Sequence, residues 1–317
     1  MTERTPARER RAAGIRRGLP FGIAVFAIAV SFGVLARPLM GLVAPIVMSV
    51  VVFSGSAQFG ALAVLLAGGS TAAAIAAGVL LNARYLAMGL ALAPSLRGNA
   101  LSRGAFAMPL VDASWAAASR GDGTFDPWYM VGVSIPQYVG WVLGTVVGVL
   151  VGSRLGDPKA LGLDALFPAF FIALLFEEAR GRRRDRSRPD PARARRPADP
   201  GGRSSGGRGV EDASPVTAVW VLIVVLALAT AALKLAGPLT LGGRPLPASV
   251  LTIVELLASA LLAALVVVET FGKGRSLVLD ARVLGAAFAA VAVWRRAPMI
   301  VVVLGAAAVT AVARLLY

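Results

Sequence analysis

An apolar run of the chain, "VVFSGSAQFGALAVLL" (residues 51–66), is interrupted by small and polar residues. These residues are Ser54, Gly55, Ser56 and Gln58. Ser54 and Gln58 are four positions apart and would share one face of a helix, whereas Ser56 points elsewhere. Such groups either bind a small zwitterion at a loosened helix, or hold helices together through small residues and an amide hydrogen bond. The run by itself leaves both interpretations open.

A second apolar run, "LLNARYLAMGLALAP" (residues 80–94), carries Asn82 and Arg84. On a regular helix these two side chains would point in roughly opposite directions. Arg84 lies near the middle of its run, so its burial requires a partner or a hydrated cavity. An intramembrane charge is a functional candidate. The structural alternative is an ion pair with Asp112, which follows Pro109 in a less apolar stretch; Asp112 is therefore predicted as a proton-coupling or ion-pair residue.

Lys234 stands in a later apolar run and is predicted as a second coupling or ion-pair residue. The alternative is that its long side chain snorkels to the membrane surface. Pro136 and Gln137 interrupt another long run, because proline removes a helix hydrogen bond.

The chain has no Cys and no His. Disulfides, thiol catalysis, zinc sites of the usual ligand set and imidazole proton relays are therefore excluded. No nucleotide-binding motif G-x-x-x-x-G-K-[ST] is present, so the chain carries no ATPase of its own. We expect no enzyme activity, no cofactor and no metal, and any proton coupling would run through carboxylates or water.

The elements that must position these residues are membrane-spanning helices. The chain is 57% hydrophobic and only 15% charged, with a mean hydropathy of +0.75. Several apolar stretches approach the roughly 20 residues that cross a bilayer. The predicted fold is all-α, a polytopic helical membrane protein with the lipid bilayer as its partner. The net charge of +15 clusters before the first span, in one linker and in short loops, which is typical of cytoplasmic segments and not of nucleic-acid binding.

Two helical modules are predicted, joined by a disordered basic linker. Residues 179–215 are rich in Arg, Pro and Gly; arginine is too costly in hydrocarbon for this segment to span, and its low hydrophobicity prevents a packed core. Module 1–178 contains five strong spans and a weaker stretch, 104–119, that is a short or re-entrant helix. Counting that stretch gives six spans and puts the N-terminus and the linker in the cytoplasm. Module 216–317 has four predicted helices, at 216–236, 248–271, 283–294 and 299–316.

The first module resembles AzlC, the large subunit of the branched-chain amino-acid exporters. The matching stretches are "RRGLPFGIAVFAIAVSFGVLA", "FSGSAQFGALAVLLAGG", "LLNARYLAMGLALAP" and "LGLDALFPAFFIALLFEE". The second module is similar to the small subunit, AzlD, through "LALATAALKLAGPLTL", with Lys234 where a basic residue, usually Arg, follows a Thr by four positions, and through "ASALLAALVVVE".

The resemblance implies efflux of Leu, Ile, Val and also Met or analogues across the cytoplasmic membrane. It further implies secondary transport driven by the membrane potential or the proton gradient, with the two modules paired within one chain. Ser54, Gly55, Ser56 and Gln58 would line the pathway and hold the amino and carboxylate groups of the substrate. Asn82 and Arg84 would complete or brace it, with Arg84 as a carboxylate partner.

Three departures from the family pattern stand out. Tyr85 occupies the place of a usual His, an acidic pair is reduced to Asp112 followed by Ala113, and the linker stands where further apolar helices are usual. One hypothesis is that those helices were deleted or lost to an out-of-frame stretch, which resequencing would test. The alternatives to export are a channel or an exporter of another small solute, and a non-transporting or decayed membrane protein. Homo-oligomerisation is also left open.

Overall fold

The computed structural model describes residues 6–121, 123–152, 215–240 and 276–316, together with 162, 165–166, 168–169, 172–173, 175–176, 263, 266–267 and 270–273. Residues 179–214 of the predicted linker lie outside the described residues, as do most of the predicted spans 161–176 and 248–271.

The described elements are mainly helices. In chain order they are α1 (Ala7–Met40), α2 (Ala44–Val51), α3 (Gly55–Leu66), α4 (Thr71–Asn82), α5 (Arg84–Leu92), a 3-10 turn (Ala93–Ser95), α6 (Ala100–Ala107), α7 (Asp112–Ala118), α8 (Pro127–Val151), α9 (Pro215–Thr240), a hairpin of β1 (Gly272–Lys273) and β2 (Ser276–Leu277), α10 (Ala281–Trp294) and α11 (Met299–Leu316).

The predicted class, a polytopic helical membrane protein, is confirmed. Four described segments are long and apolar enough to cross a membrane: Ala7–Met40, Thr71–Ser95, Pro127–Val151 and Val216–Thr240. Large apolar side chains remain exposed along these helices, as on Leu143 and Leu228, which is the surface that lipid would cover.

Helices α1 and α8 run parallel and pack closely through glycine. An added Cβ on Gly14 would lie 3.0 Å from the Cα of Gly132. Farther along the pair, a Cβ on Gly22 would lie 2.7 Å from the carbonyl oxygen of Pro136. Small residues allow helix backbones to approach this closely in membranes, where van der Waals packing drives association. Residue numbers increase in the same direction along both helices at these contacts, so α1 and α8 start on the same side of the fold.

Asp126 joins the starts of these two helices. Its carboxylate lies 3.2 Å from Arg10 and 3.1 Å from Arg120, and it caps α8 by accepting the N–H of Tyr129 at 3.2 Å. Partial burial opposes ionisation of Asp126, but the Tyr129 amide and the two guanidinium groups hold the pKa of this carboxyl below its ordinary value.

Three segments between α1 and α8 are divided into two helices each. They are α2–α3, interrupted at residues 52–54, α4–α5, divided at Ala83, and α6–α7, interrupted at residues 108–111. At Ala83 the backbone stays helical, with φ −54° and ψ −26°, so Thr71–Ser95 remains one span.

Ser95 after α5 accepts the N–H of Phe125 before α8 at 2.9 Å, so α6–α7 enters and leaves on one side. Since α1 and α8 are parallel, the span Thr71–Ser95 (α4–α5) is then the crossing that connects them. The weak stretch 104–119, predicted as a short or re-entrant helix, lies in the re-entrant pair α6–α7, so counting it as a sixth span was wrong.

Helix α9 brings the second module against these divided segments. Gly78 of α4 lies against Leu226, and Gly237 of α9 approaches the backbone of Gly89 in α5. The pairing therefore runs parallel along α4–α5. Arg103 at the start of α6 donates to the carbonyl of Pro238 at 3.0 Å, which fixes the far end of α9.

Gly22→Ala tests the seam between α1 and α8. The new methyl group would meet backbone atoms of Pro136 that cannot rotate away, so we expect the free energy of unfolding to fall by about 1–3 kcal/mol, the usual cost of overpacking. Chemical denaturation in detergent micelles measures it. Gly104→Ala is the matched control, because its nearest neighbour is the flexible Leu235 side chain at 3.3 Å. Equal effects of the two changes would contradict the close backbone contact.

Candidate functional site

The three divided segments meet at one place inside the fold. The first interruption is marked by Phe53, which has a positive φ of 41°, a conformation that is strained for an aromatic residue. Ser54 follows with extended backbone and precedes the first turn of α3. Ala83 separates α4 from α5, and residues 108–111 separate α6 from α7.

A chain of hydrogen bonds links two interruptions to α9. The Ser54 hydroxyl donates to the Asn82 amide oxygen at 2.6 Å, and the Asn82 amide nitrogen donates to the Thr230 hydroxyl at 2.7 Å. Thr230 in turn donates to the Leu226 carbonyl at 2.6 Å. Ser54, Asn82 and Thr230 are buried. Because buried polar groups are costly to leave unpaired, this chain fixes the two modules in register.

Arg84 and Asp112 form an ion pair between the other interruptions. The Arg84 Nε atom lies 2.8 Å from one Asp112 carboxylate oxygen, and its Nη2 atom donates to the other at 2.9 Å. A further N–H of Arg84 donates to the carbonyl of Leu81 at 2.9 Å, near the end of α4. The pair is thus the bidentate structural ion pair that the sequence analysis gave as the alternative for Arg84.

Lys234 of α9 is buried, with only 2% of its surface exposed. Its ammonium group donates to the carbonyls of Phe53 at 3.3 Å and Met108 at 3.2 Å. Both carbonyls belong to interrupted backbone just after a half-helix, where the helix dipole favours a cation. The same ammonium lies 4.7 Å from the centre of the Tyr85 ring, a cation–π distance. Lys234 does not snorkel.

Gln58 belongs to a different network. Its amide nitrogen donates to Ser49 at 3.0 Å, and its amide oxygen accepts from the Trp141 indole at 2.9 Å. Ser49 also bonds Thr145 at 2.8 Å. Both ends of the Gln58 amide therefore hold α2, α3 and α8 together, as in the packing interpretation.

A cavity of about 320 Å³ lies beside Lys234, where the two modules meet, and it opens on the outer surface of the helices, where Val50, Ile135 and Val139 are exposed. Its walls come from the end of α2, the interruption after α6, the middle of α8 and α9. The wall residues are mostly aliphatic, including Val50, Ile135 and Val139, with Tyr138, Thr230 and Lys234 as polar members. Small-molecule sites in proteins have this composition and volumes of about 300–1,000 Å³.

The residues predicted from sequence lie around this cavity in different ways. Lys234 lines the cavity. The other predicted residues border the interruptions without lining it: Ser54, Gly55, Ser56, Gln58, Asn82, Arg84 and Asp112. Ser56 is buried 3.4 Å from the hydroxyl of Ser54. Gly55 faces Trp141, whose ring would lie 2.9 Å from an added Cβ. Their part in a solute pathway stays a prediction.

One spacing argument fails because a helix is interrupted. Ser54 and Gln58 do not share a helix face, since α3 begins only at Gly55 and Ser54 is extended. Asn82 and Arg84 are both buried but contact different partners, Asn82 through Ser54 and Thr230 and Arg84 through Asp112. Sequence reasoning did not assign Tyr138 or Thr230 to the site. Thr230 is the threonine four positions before Lys234 on which part of the family resemblance rests, so its signal was present in the sequence.

Family models match both halves of the chain. Residues 20–155 match the model described as AzlC protein. Residues 219–314 match the model described as Branched-chain amino acid transport protein (AzlD). The two matched regions correspond to the helices that meet at the cavity.

Three curated proteins are similar to the first half. Branched-chain amino acid transport protein AzlC of Bacillus subtilis is 26% identical over 52% of this chain and 68% of its own length. Inner membrane protein YgaZ of Escherichia coli is 31% identical, over 50% of this chain and 71% of its length. An uncharacterized membrane protein of Archaeoglobus fulgidus is 30% identical, over 54% and 79% respectively. No solved structure matches the chain significantly.

Removing Arg84 tests the buried ion pair. Arg84→Ala leaves the Asp112 carboxylate without its guanidinium, and we expect the free energy of unfolding in detergent micelles to fall by about 3–5 kcal/mol. Arg84→Ala with Asp112→Ala should recover part of this loss, because no lone charge remains. Arg120→Ala is the control; its exposed pair with Asp126 is worth less than about 1 kcal/mol. An equal cost for Arg84→Ala and Arg120→Ala would contradict the buried pair.

Proposed function

This chain belongs to the AzlC family and carries an AzlD domain in the same polypeptide, and from that membership we propose that it exports branched-chain amino acids. The substrates are Leu, Ile and Val, extending to Met, and the membrane is the cytoplasmic one. The relative from Bacillus subtilis carries branched-chain amino acid transport in its name, which supports the substrate class.

The observation that carries this proposal is the way the second module completes the first. Lys234 and Thr230 come from the region matched by AzlD, while Phe53, Asn82 and Met108 come from the region matched by AzlC. An aliphatic cavity with a few polar groups lies at their junction. Transporters of small solutes use discontinuous helices at such sites, which supports a solute pathway made jointly by the two modules.

Transport is proposed to be secondary and coupled to the proton motive force. The half-helices α2–α3, α4–α5 and α6–α7 give the first module hinges at one depth, whereas the glycine seam of α1 and α8 gives it a rigid frame. Opening would separate hydrogen-bonded partners such as Ser54 and Asn82, and the substrate's own polar groups would replace them. Asp112 and Lys234 are the proposed coupling residues.

The proposed orientation puts the N-terminus and the linker in the cytoplasm. Basic residues before and within the first turns of α1 support it, since Lys and Arg mark cytoplasmic segments. The chain path adds no support, because α9 runs parallel to α4–α5 and the end of α5 lies beside the start of α8, so α9 begins on the side where α8 ends. We also propose that the first module ends at residue 178, that the linker covers residues 179–215 and that the second module begins at residue 216.

An efflux assay tests the function. The full chain is expressed in a bacterial strain that lacks its own branched-chain exporters and is fed a leucine-containing dipeptide, which the cell hydrolyses to leucine. We expect lower intracellular and higher external leucine than with an empty vector, and loss of the difference when a protonophore collapses the proton gradient. Both measurements come from amino-acid analysis of separated cells and medium.

Two outcomes would contradict the proposal. Unchanged leucine accumulation, with the chain present in the membrane fraction at normal abundance, would reject branched-chain export. Efflux that never exceeds the level set by the leucine gradient, and that is insensitive to the protonophore, would reject coupled export in favour of a channel.

A further inference from the structure

Among the residues that the structure describes, the cluster at the interruptions carries more positive than negative charge. Arg84 and Lys234 contribute two positive charges and Asp112 one negative charge, and Asp112 is already bound to Arg84 in a bidentate pair. Among the described residues no carboxylate lies within ion-pair distance of Lys234. A buried ammonium group without an anion is costly in a membrane protein, and such groups commonly mark substrate pathways.

Lys234 also has bonding capacity left on the side of the cavity. A lysine ammonium group has three N–H donors, and the carbonyls of Phe53 and Met108 account for two among the described residues. Lys234 lines the cavity, while Arg84 does not and is committed to Asp112. An anion that enters this cavity would therefore meet Lys234 first.

The rest of the cavity matches a small aliphatic molecule. Val50, Ile135 and Val139 provide branched apolar walls beside the ammonium group. Tyr138 donates its hydroxyl proton to the carbonyl of Val50 at 3.2 Å, so its oxygen lone pairs remain available to accept from a ligand amine. One cationic donor, one hydroxyl acceptor and an aliphatic wall correspond to the three parts of a branched-chain amino acid.

We propose that the cavity between the two modules is the binding site for the transported amino acid, with its carboxylate on Lys234 and its branched side chain against the aliphatic wall of α2 and α8. This rests on the proposed function and refines it. The carboxylate partner is Lys234 of the second module, whereas the sequence pattern had favoured Arg84. Neither module alone would then bind substrate.

Binding measurements on the purified full chain test this assignment. The chain is placed in nanodiscs of neutral phosphatidylcholine, and radiolabelled L-leucine binding is measured with two competitors. 4-Methylpentanoate keeps the carboxylate and the branched chain and lacks the amine, whereas L-leucinamide keeps the amine and lacks the carboxylate. We expect 4-methylpentanoate to displace leucine and leucinamide to fail.

Two pairs of variants locate the site. Lys234→Met should weaken leucine binding roughly 30-fold or more, the effect of removing one partner of a buried charge pair, and Lys234→Arg should restore part of it by restoring the charge. Val139→Trp should fill the cavity and abolish binding. Val147→Trp is its matched control, because Val147 is a similarly exposed valine on the same helix that does not line the cavity.

The outcomes separate this proposal from the proposed function. Wild-type export of leucine together with unchanged leucine affinity in Lys234→Met and Val139→Trp would overturn the site and leave export intact. Displacement by leucinamide but not by 4-methylpentanoate would overturn the role of Lys234. Displacement of leucine by an anionic phospholipid, with no effect of 4-methylpentanoate, would identify a lipid as the occupant and overturn the proposal. Absence of export in the wild type would instead reject the proposed function.

Discussion

The contact of the Lys234 ammonium with the carbonyls of Phe53 and Met108 is the interaction on which the rest of this structure depends. Non-helical backbone at membrane depth survives only where its polar groups find partners inside the protein or in a water-filled cavity. Among the described residues the first module has two such segments, 52–54 and 108–111. A lysine from the second module donates to one carbonyl in each, so docking of the second module also satisfies the interrupted backbone of the first.

The structure divides the first module into a rigid part and an adjustable part. The seam of α1 and α8 is packed backbone to backbone at its glycines, which leaves little room for a second arrangement. The half-helices around Ser54, Ala83 and Pro109 are instead held by hydrogen bonds and one ion pair, which can be exchanged for bonds to a solute. A transporter needs both properties, because one part must move against a frame that does not.

The candidate site shows when residue spacing predicts which side chains share a helix face in such a protein, and when it does not. For the run around Ser54 to Gln58 the sequence left a loosened helix and a packing role open, and the structure contains both: the helix is interrupted at residues 52–54, and Gln58 holds neighbouring helices together. The prediction that Ser54 and Gln58 share a face was wrong, because helical spacing applies only within one uninterrupted helix. Gln58 therefore binds Ser49 and Trp141, while Ser54 joins Asn82 and, through it, Thr230 of the other module.

The sequence by itself determined that this is a polytopic helical membrane protein with two modules of recognisable family, because apolar length and composition dictate spanning helices in any context. It also identified Lys234 and Asp112 as unusual, because a charge in an apolar run is visible without coordinates. Only the tertiary structure decided that Asp112 neutralises Arg84 and that Lys234 is left facing an aliphatic cavity. Pairing of charges depends on distances between helices far apart in the chain, such as α7 against α5 and α9 against α2, and no local pattern encodes those distances.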